Sequence, residues 1–420
     1  MTVRALLGLA ALNGLYLLVG LSLLWGLRDF RTWATVARLA GLAYLVGVAA
    51  LGITWTLLVV VSVPFGVATI GATGAAGVVV GLLLARRAQR PVPALGACSG
   101  TRASLVGAAG VALGGVFLEA LFRAARLHGL YAFDGWAFWV PKGKAIYYFG
   151  GLDEQVFTSL PGPTYPPLVP LLDAAAFHAM GSADTVTLHV QFWFLAFGFA
   201  AAVAGLLASR VPAWLLWPSV LLVLVVPRTT ERLLTPQADF LVDYLFVVSA
   251  VLVVLWIGDG ATWRLVTVAV LLGGAVLTKR EGALLAACLV AGALLATLRR
   301  RERWPSLVIA SVSVAAVGIP WRIWYRQHGI GGEAPSGAGL DSGLVRFVDA
   351  LDLSVDVLLD DALWSVVPIV GIAAVALALV WGVRAEAVFV ASTLVLVVLG
   401  GTWITTSYPE LPITADEAVN

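Results

Sequence analysis

Residues 238–257 read ADFLVDYLFVVSAVLVVLWI, with two aspartates at the head of an apolar run. About 20 such residues, coiled as a helix, cross a hydrocarbon core of roughly 30 Å. Asp239 and Asp243 stand four apart and therefore share one helix face. A carboxylate at the centre of a spanning helix costs roughly 2.5–3.5 kcal/mol. Acids at the start of this span therefore either reach the membrane surface or belong to a site.

Runs of the same kind recur along the chain. They lie at 5–25, 36–63, 65–85, 104–122, 189–208, 212–226, 240–257, 265–277, 283–298, 306–319, 363–383 and 387–402. Pro64 breaks the second run from the third, since proline suits a tight turn better than a helix interior. Across all 420 residues, 60% are hydrophobic and 12% charged, with mean hydropathy +0.96. A soluble domain is about 45–50% apolar and about 25% charged. The expected fold is therefore all-α, a polytopic transmembrane bundle of about 12–13 helices, with the bilayer itself as partner. The first run follows Arg4 and lacks a small-residue cleavage site, so it reads as a retained helix rather than a signal peptide.

Net charge of +2 gives no field for nucleic acid. Cys98 and Cys288 read as free thiols, and His128, His178, His189 and His328 show no metal-ligand spacing. No phosphate-binding loop, serine elbow or zinc-protease motif occurs, which argues against an ATP-driven pump. Gly71, Gly74 and Gly77 read as a packing face within a helix.

Arginine clusters orient the spans, because basic loops stay cytoplasmic. Arg28/Arg31/Arg38, Arg86/Arg87/Arg90 with Arg102, and Arg299/Arg300/Arg301/Arg303 belong on one side if residues 167–180 do not cross. That segment is short and contains Asp173, so it reads as a re-entrant or interfacial helix on the outer side. Four polar regions then share the outer face: 124–164, 227–239, 278–281 and 321–362. Interfacial helices are expected in these loops. The divisions are an N-terminal helical region at 1–103, a core at 104–320 whose first outer loop is 124–187, an outer loop with an amphipathic helix at 321–362, and terminal spans and tail at 363–420.

Asp134 sits among Trp136, Phe138, Trp139, Tyr147 and Tyr148. Apolar neighbours raise a carboxyl's pKa toward a general base's working range. An aromatic belt with a capping aspartate is the plainer account. Of 26 basic residues only Lys142, Lys144 and Lys279 are lysine, and all three fall in outer-face segments where an ammonium could meet phosphate or snorkel to the interface. Lys279, Arg280 and Glu281 interrupt an apolar stretch, as a site or as an ion-paired turn. Glu119 and Arg123 form a structural i, i+4 pair. Asp349, Asp352, Asp356 and Asp360 share one helix face; a solvated edge explains them, and a divalent metal is the alternative.

The order of these features resembles the bacterial GT-C membrane glycosyltransferases of the protein-mannosyltransferase and lipid-A aminoarabinose-transferase type, glycosyltransferase family 39-like. The matching residues are Asp134, Trp136, Lys144-Ala145, Gly150-Gly151, Tyr165-Pro166-Pro167-Leu168, Ala238-Asp239 and Lys279-Arg280-Glu281-Gly282, spread over 104–321. The resemblance implies a polyprenyl-phosphate sugar donor, a glycan, lipid or protein acceptor, and an outward-facing site in a bacterial plasma membrane. It casts Asp134 as the catalytic base and Lys144, Lys279 and Arg280 as holders of the donor phosphate. Trp136, Tyr165, Pro166, Pro167, Asp239 and Glu281 would shape the substrate site. No resident metal is assigned. The chain departs from the family in having three extra spans before Asp134's loop, and in carrying Asp-Gly and Tyr165 where many members have Asp-Glu and histidine. A transporter or lipid flippase, or a non-catalytic envelope-assembly protein, are the rival readings.

Overall fold

A computed structural model describes residues 2–95, 105–127, 129–330 and 340–406. Cys98, Arg102 and His128 lie outside them. The described chain is helical, with one isolated β-bridge between Thr32 and Ala94. The first half runs α1 (Val3–Leu27), α2 (Trp33–Arg38), α3 (Ala40–Val60), α4 (Val67–Arg87), α5 (Leu105–Ala125), α6 (Val140–Phe149), α7 (Glu154–Ser159), α8 (Leu168–Met180), α9 (Thr185–Leu207) and α10 (Ala213–Val225). The second runs α11 (Pro227–Arg232), α12 (Ala238–Asp259), α13 (Thr262–Thr278), α14 (Glu281–Ala296), α15 (Trp304–Val317), α16 (Ile319–Gln327), α17 (Leu340–Leu359), α18 (Asp361–Trp364), α19 (Val367–Val380) and α20 (Arg384–Thr406).

Eight helices among the described residues are long and apolar enough to cross a membrane, and five shorter apolar helices accompany them. In a bilayer every backbone polar group must be satisfied within the chain, which is why apolar runs of this length coil. Pro64 falls in the turn between α3 and α4, as expected. The run at 36–63 is not one helix: the backbone leaves helical geometry at Leu39 and divides it into α2 and α3. Residues 321–327, expected in an outer loop, continue the α15 helix as α16, with Gly318 alone between the two helices. Asp360 leaves the acidic stripe to cap α18, accepting from the Ala362 N–H. No group of three or more His, Cys, Asp or Glu side chains suited to a metal occurs among the described residues.

Glycine sets the tightest crossing. A Cβ on Gly20 would lie 1.6 Å from the Ala43 carbonyl oxygen, and one on Gly47 would lie 1.8 Å from that of Tyr16, so α1 and α3 pack antiparallel in backbone contact. Gly74 and Gly77 of α4 receive Leu15 and Val19 of α1, whereas a Cβ on Gly71 would meet nothing within 4 Å. Asn13, Tyr44 and Gln191 tie α1, α3 and α9 through buried hydrogen bonds of 2.6 and 2.8 Å. Such bonds average about 0.6 kcal/mol in a bilayer protein.

The interfacial alternative for 167–180 is overturned, because α8 is buried in the bundle rather than laid on its surface. Leu168 packs on Gly52 of α3, and Ala179 on Gly8 of α1. Gly181 ends the helix at φ +71, a left-handed turn open to glycine.

Helix direction gives the bundle two distinct ends. The start of α12, the end of α13 and the start of α14 meet at one end, where Lys279 pairs with Asp239. At the other, roughly 33 Å away along α12, the arginines gather. There Arg300 donates to the Ile257 carbonyl at 2.7 Å and Arg303 to the Trp256 carbonyl at 2.9 Å. Arg210 and Arg264 pair with Asp259, and Arg28 lies 4.6 Å from the Trp263 ring.

Candidate active site

Asp134 immediately precedes a π-helical turn, Gly135–Trp139, in which the Val140 N–H reaches back to the Gly135 carbonyl. Pro141 explains the widening: it offers no N–H to the preceding turn, and the chain absorbs the missing bond as a π turn. Gly135 lies against the loop leading into α12, a Cβ there being 3.3 Å from the Pro236 carbonyl oxygen. This contact brings Asp134 toward Asp239. Burial holds the Asp134 carboxyl above the ordinary range; Asp239 adds to this, while Lys279 and Arg232 oppose it.

Asp239 accepts from Lys279 Nζ at 2.7 Å, and Glu281 Oε1 lies 3.5 Å from the same ammonium. Burial works against the Lys279 charge, but Asp239 and Glu281 outweigh it and raise its pKa above that of a free lysine. The second Glu281 oxygen is buried with no hydrogen-bond partner. Asp243, one turn deeper on α12, is exposed in area yet ringed by protein, which marks a carboxylate facing a cleft. Tyr165 stacks on Trp139 with centroids 5.5 Å apart, and its ring lies 6.0 Å from Lys279 Nζ. Four segments distant in sequence thus form one cluster of Asp134, Asp239, Asp243, Lys279, Glu281 and Tyr165.

Beside it, between the tips of α13 and α14 and the α15–α16 junction, lies a cavity of about 230 Å³. Pro166 and Arg280 line it, joined by Thr164, Arg322 and Arg326. The Thr164 hydroxyl is buried and without a hydrogen-bond partner. Sequence reasoning missed Thr164, Arg322, Arg326 and Arg232. The i, i+4 spacing of Arg322 and Arg326 was the available signal, since it sets both on one face of a helix.

Other expected residues stand apart. Lys142 is fully buried and donates to the carbonyls of Pro161 and Gly162 at 3.0 and 2.7 Å, which fixes the turn before Tyr165. The three lysines therefore do not meet around one pocket. Lys144 lies on α6, forms no ion pair among the described residues and does not line the cavity. Trp136 is 52% exposed and packs edge-on to Phe133. Pro167 is buried at the start of α8.

No protein-family model matches the chain, and neither a curated protein nor a solved structure matches it.

Proposed function

We propose that this chain is a GT-C-like membrane glycosyltransferase that moves a sugar from a polyprenyl-phosphate donor to an extracytoplasmic glycan, lipid or protein acceptor. In this reading it crosses a bacterial plasma membrane twelve times, with α8 re-entrant. The arginine end faces the cytoplasm by the charge rule, and the Asp134 cluster faces outward.

The observation that carries the reading is the convergence of a half-buried carboxyl, Asp134, with the Asp239–Lys279–Glu281 network and the Trp139–Tyr165 stack at one end of a membrane bundle. Asp134 takes the proton of the acceptor hydroxyl as its oxygen bonds to the anomeric carbon. The bond from that carbon to the phosphate oxygen breaks, and the electron pair leaves on the phosphate, next to Arg280. Lys279 is engaged by two carboxylates, so its part is to hold Asp239 and Glu281 in place rather than to bind phosphate.

The test is mass spectrometry of lipid-linked sugars in a deletion strain, complemented with the native chain or Asp134→Asn. Loss of a general base costs about 10²–10⁴-fold, so the native gene should clear the accumulating donor and the variant should not. In membranes the native rate should fall with decreasing pH sooner than an ordinary carboxylate would dictate, because the base must be unprotonated and its pKa is raised. Full complementation by Asp134→Asn removes Asp134 as the base. No accumulating donor removes the reading, leaving a transporter, flippase or scaffold.

A further inference from the structure

The cavity beside the acidic cluster carries features that proton abstraction at Asp134 does not use. Three guanidinium side chains, Arg280, Arg322 and Arg326, line it, and no carboxylate does among its described lining residues. Arg322 and Arg326 share one face of α16, and their side chains form no hydrogen bond or ion pair with a described residue. Like charges at this spacing disfavour a helix by a few tenths of a kcal/mol. The Thr164 hydroxyl is 4% exposed as a residue, buried as an atom and unpartnered. A buried hydroxyl without a partner is costly unless something binds it.

We propose that this cavity is a phosphate-binding site formed by Arg322, Arg326, Arg280 and the Thr164 hydroxyl. A planar carboxylate is satisfied by one arginine fork, whereas three forks from two helices, with a hydroxyl from a third segment, suit a tetrahedral oxyanion with several acceptor oxygens. A volume of about 230 Å³ admits a phosphate group with its ester substituent. Nucleoside recognition is disfavoured because the Trp321 ring is already stacked on Trp324 at 5.0 Å and is 2% exposed. The phosphate arrives on a lipid headgroup or on a soluble molecule. Val276, Leu277 and Ala283, at the tips of α13 and α14, form the apolar wall on which a lipid-borne phosphate would rest. Assigning this phosphate to the departing group of the sugar donor rests on the glycosyltransferase reading; binding itself does not.

The test uses the full chain in lipid nanodiscs, titrated separately with inorganic phosphate and with a polyprenyl monophosphate, and followed by ³¹P NMR and thermal unfolding. The native chain should bind, and Arg322→Gln/Arg326→Gln together should weaken binding by about 100-fold, about tenfold for each charge-assisted contact. Thr164→Val should weaken it further without altering the salt dependence, because the hydroxyl carries no charge. Both arginine side chains are exposed and form no hydrogen bond or ion pair with a described residue, so the double variant should unfold as the native chain does. Much tighter binding of the polyprenyl ligand assigns the site to a lipid headgroup; equal binding assigns it to a soluble phosphate. Native-like binding by the double variant overturns the site even if transfer depends on Asp134. Binding lost in the double variant, with no transfer activity in the native chain, keeps the site and sinks the enzyme.

Discussion

The two ends of the bundle use charge in opposite ways. At the arginine end several cations are held by structure: Arg300 and Arg303 cap the carbonyls that end α12, Arg264 and Arg210 share Asp259, and Arg90 pairs with Asp29 at 2.7 Å, while Arg31, Arg86, Arg87 and Arg299 are exposed and form no ion pair with a described residue. At the other end four carboxylates neighbour one lysine, while the Arg322 and Arg326 side chains line a cavity and form no ion pair with a described residue. A closed set of contacts stabilises helix ends and needs no ligand. A charge outside such a set is solvated, and where it borders a cavity it is open to a ligand. What separates the ends is the cavity and the buried, unpartnered Thr164 hydroxyl beside the unpaired arginines.

The sharpest break would come from sidedness. With Cys98→Ser and Cys288→Ser as background, Tyr148→Cys should react with an impermeant thiol reagent on intact cells, and Arg301→Cys only after permeabilisation. The reverse pattern would turn the acidic cluster toward the cytoplasm and end the outward-facing reading.

A smaller effect should follow Lys279→Met, which strands Asp239 and Glu281. The pair is partly exposed, so the loss should be roughly 2 kcal/mol, below that of a fully buried pair. Thermal unfolding in detergent should show Lys279→Met/Asp239→Asn recovering part of it. No recovery would mean that Lys279 does not act through Asp239. The smallest effect belongs to the arginine end. Arg303→Gln removes a carbonyl cap and should cost about 1 kcal/mol, leaving donor turnover unchanged; a drop in turnover without a stability change would blur the contrast between the ends.

The helices were legible because apolar run length is a local property. Each span expected from the sequence lies mainly on helix, although 36–63 and 363–383 are each divided between two helices, and Pro64 marks its turn. The split at Leu39, the helical course of 321–327 and the burial of α8 were not legible, because each depends on which neighbour packs there. Asp134, Asp239, Lys279, Glu281 and Tyr165 stood out as polar or aromatic residues breaking apolar sequence, and the structure brings them together. Lys142 stood out equally and proved to be a clamp on the 161–162 turn. Conversely, Thr164 is an ordinary loop residue until packing against α16 sets it beside two arginines that lie more than 150 positions away.

By itself the sequence determined a helical membrane bundle, its arginine clusters and the charged breaks in its spans, since hydropathy and helix period act over one or two turns. Only the tertiary structure decided which charges are paired, which carboxyl is half-buried and which cations surround a cavity. Those properties are sums over neighbours from distant segments, and burial and Coulomb energies depend on distance in space rather than along the chain.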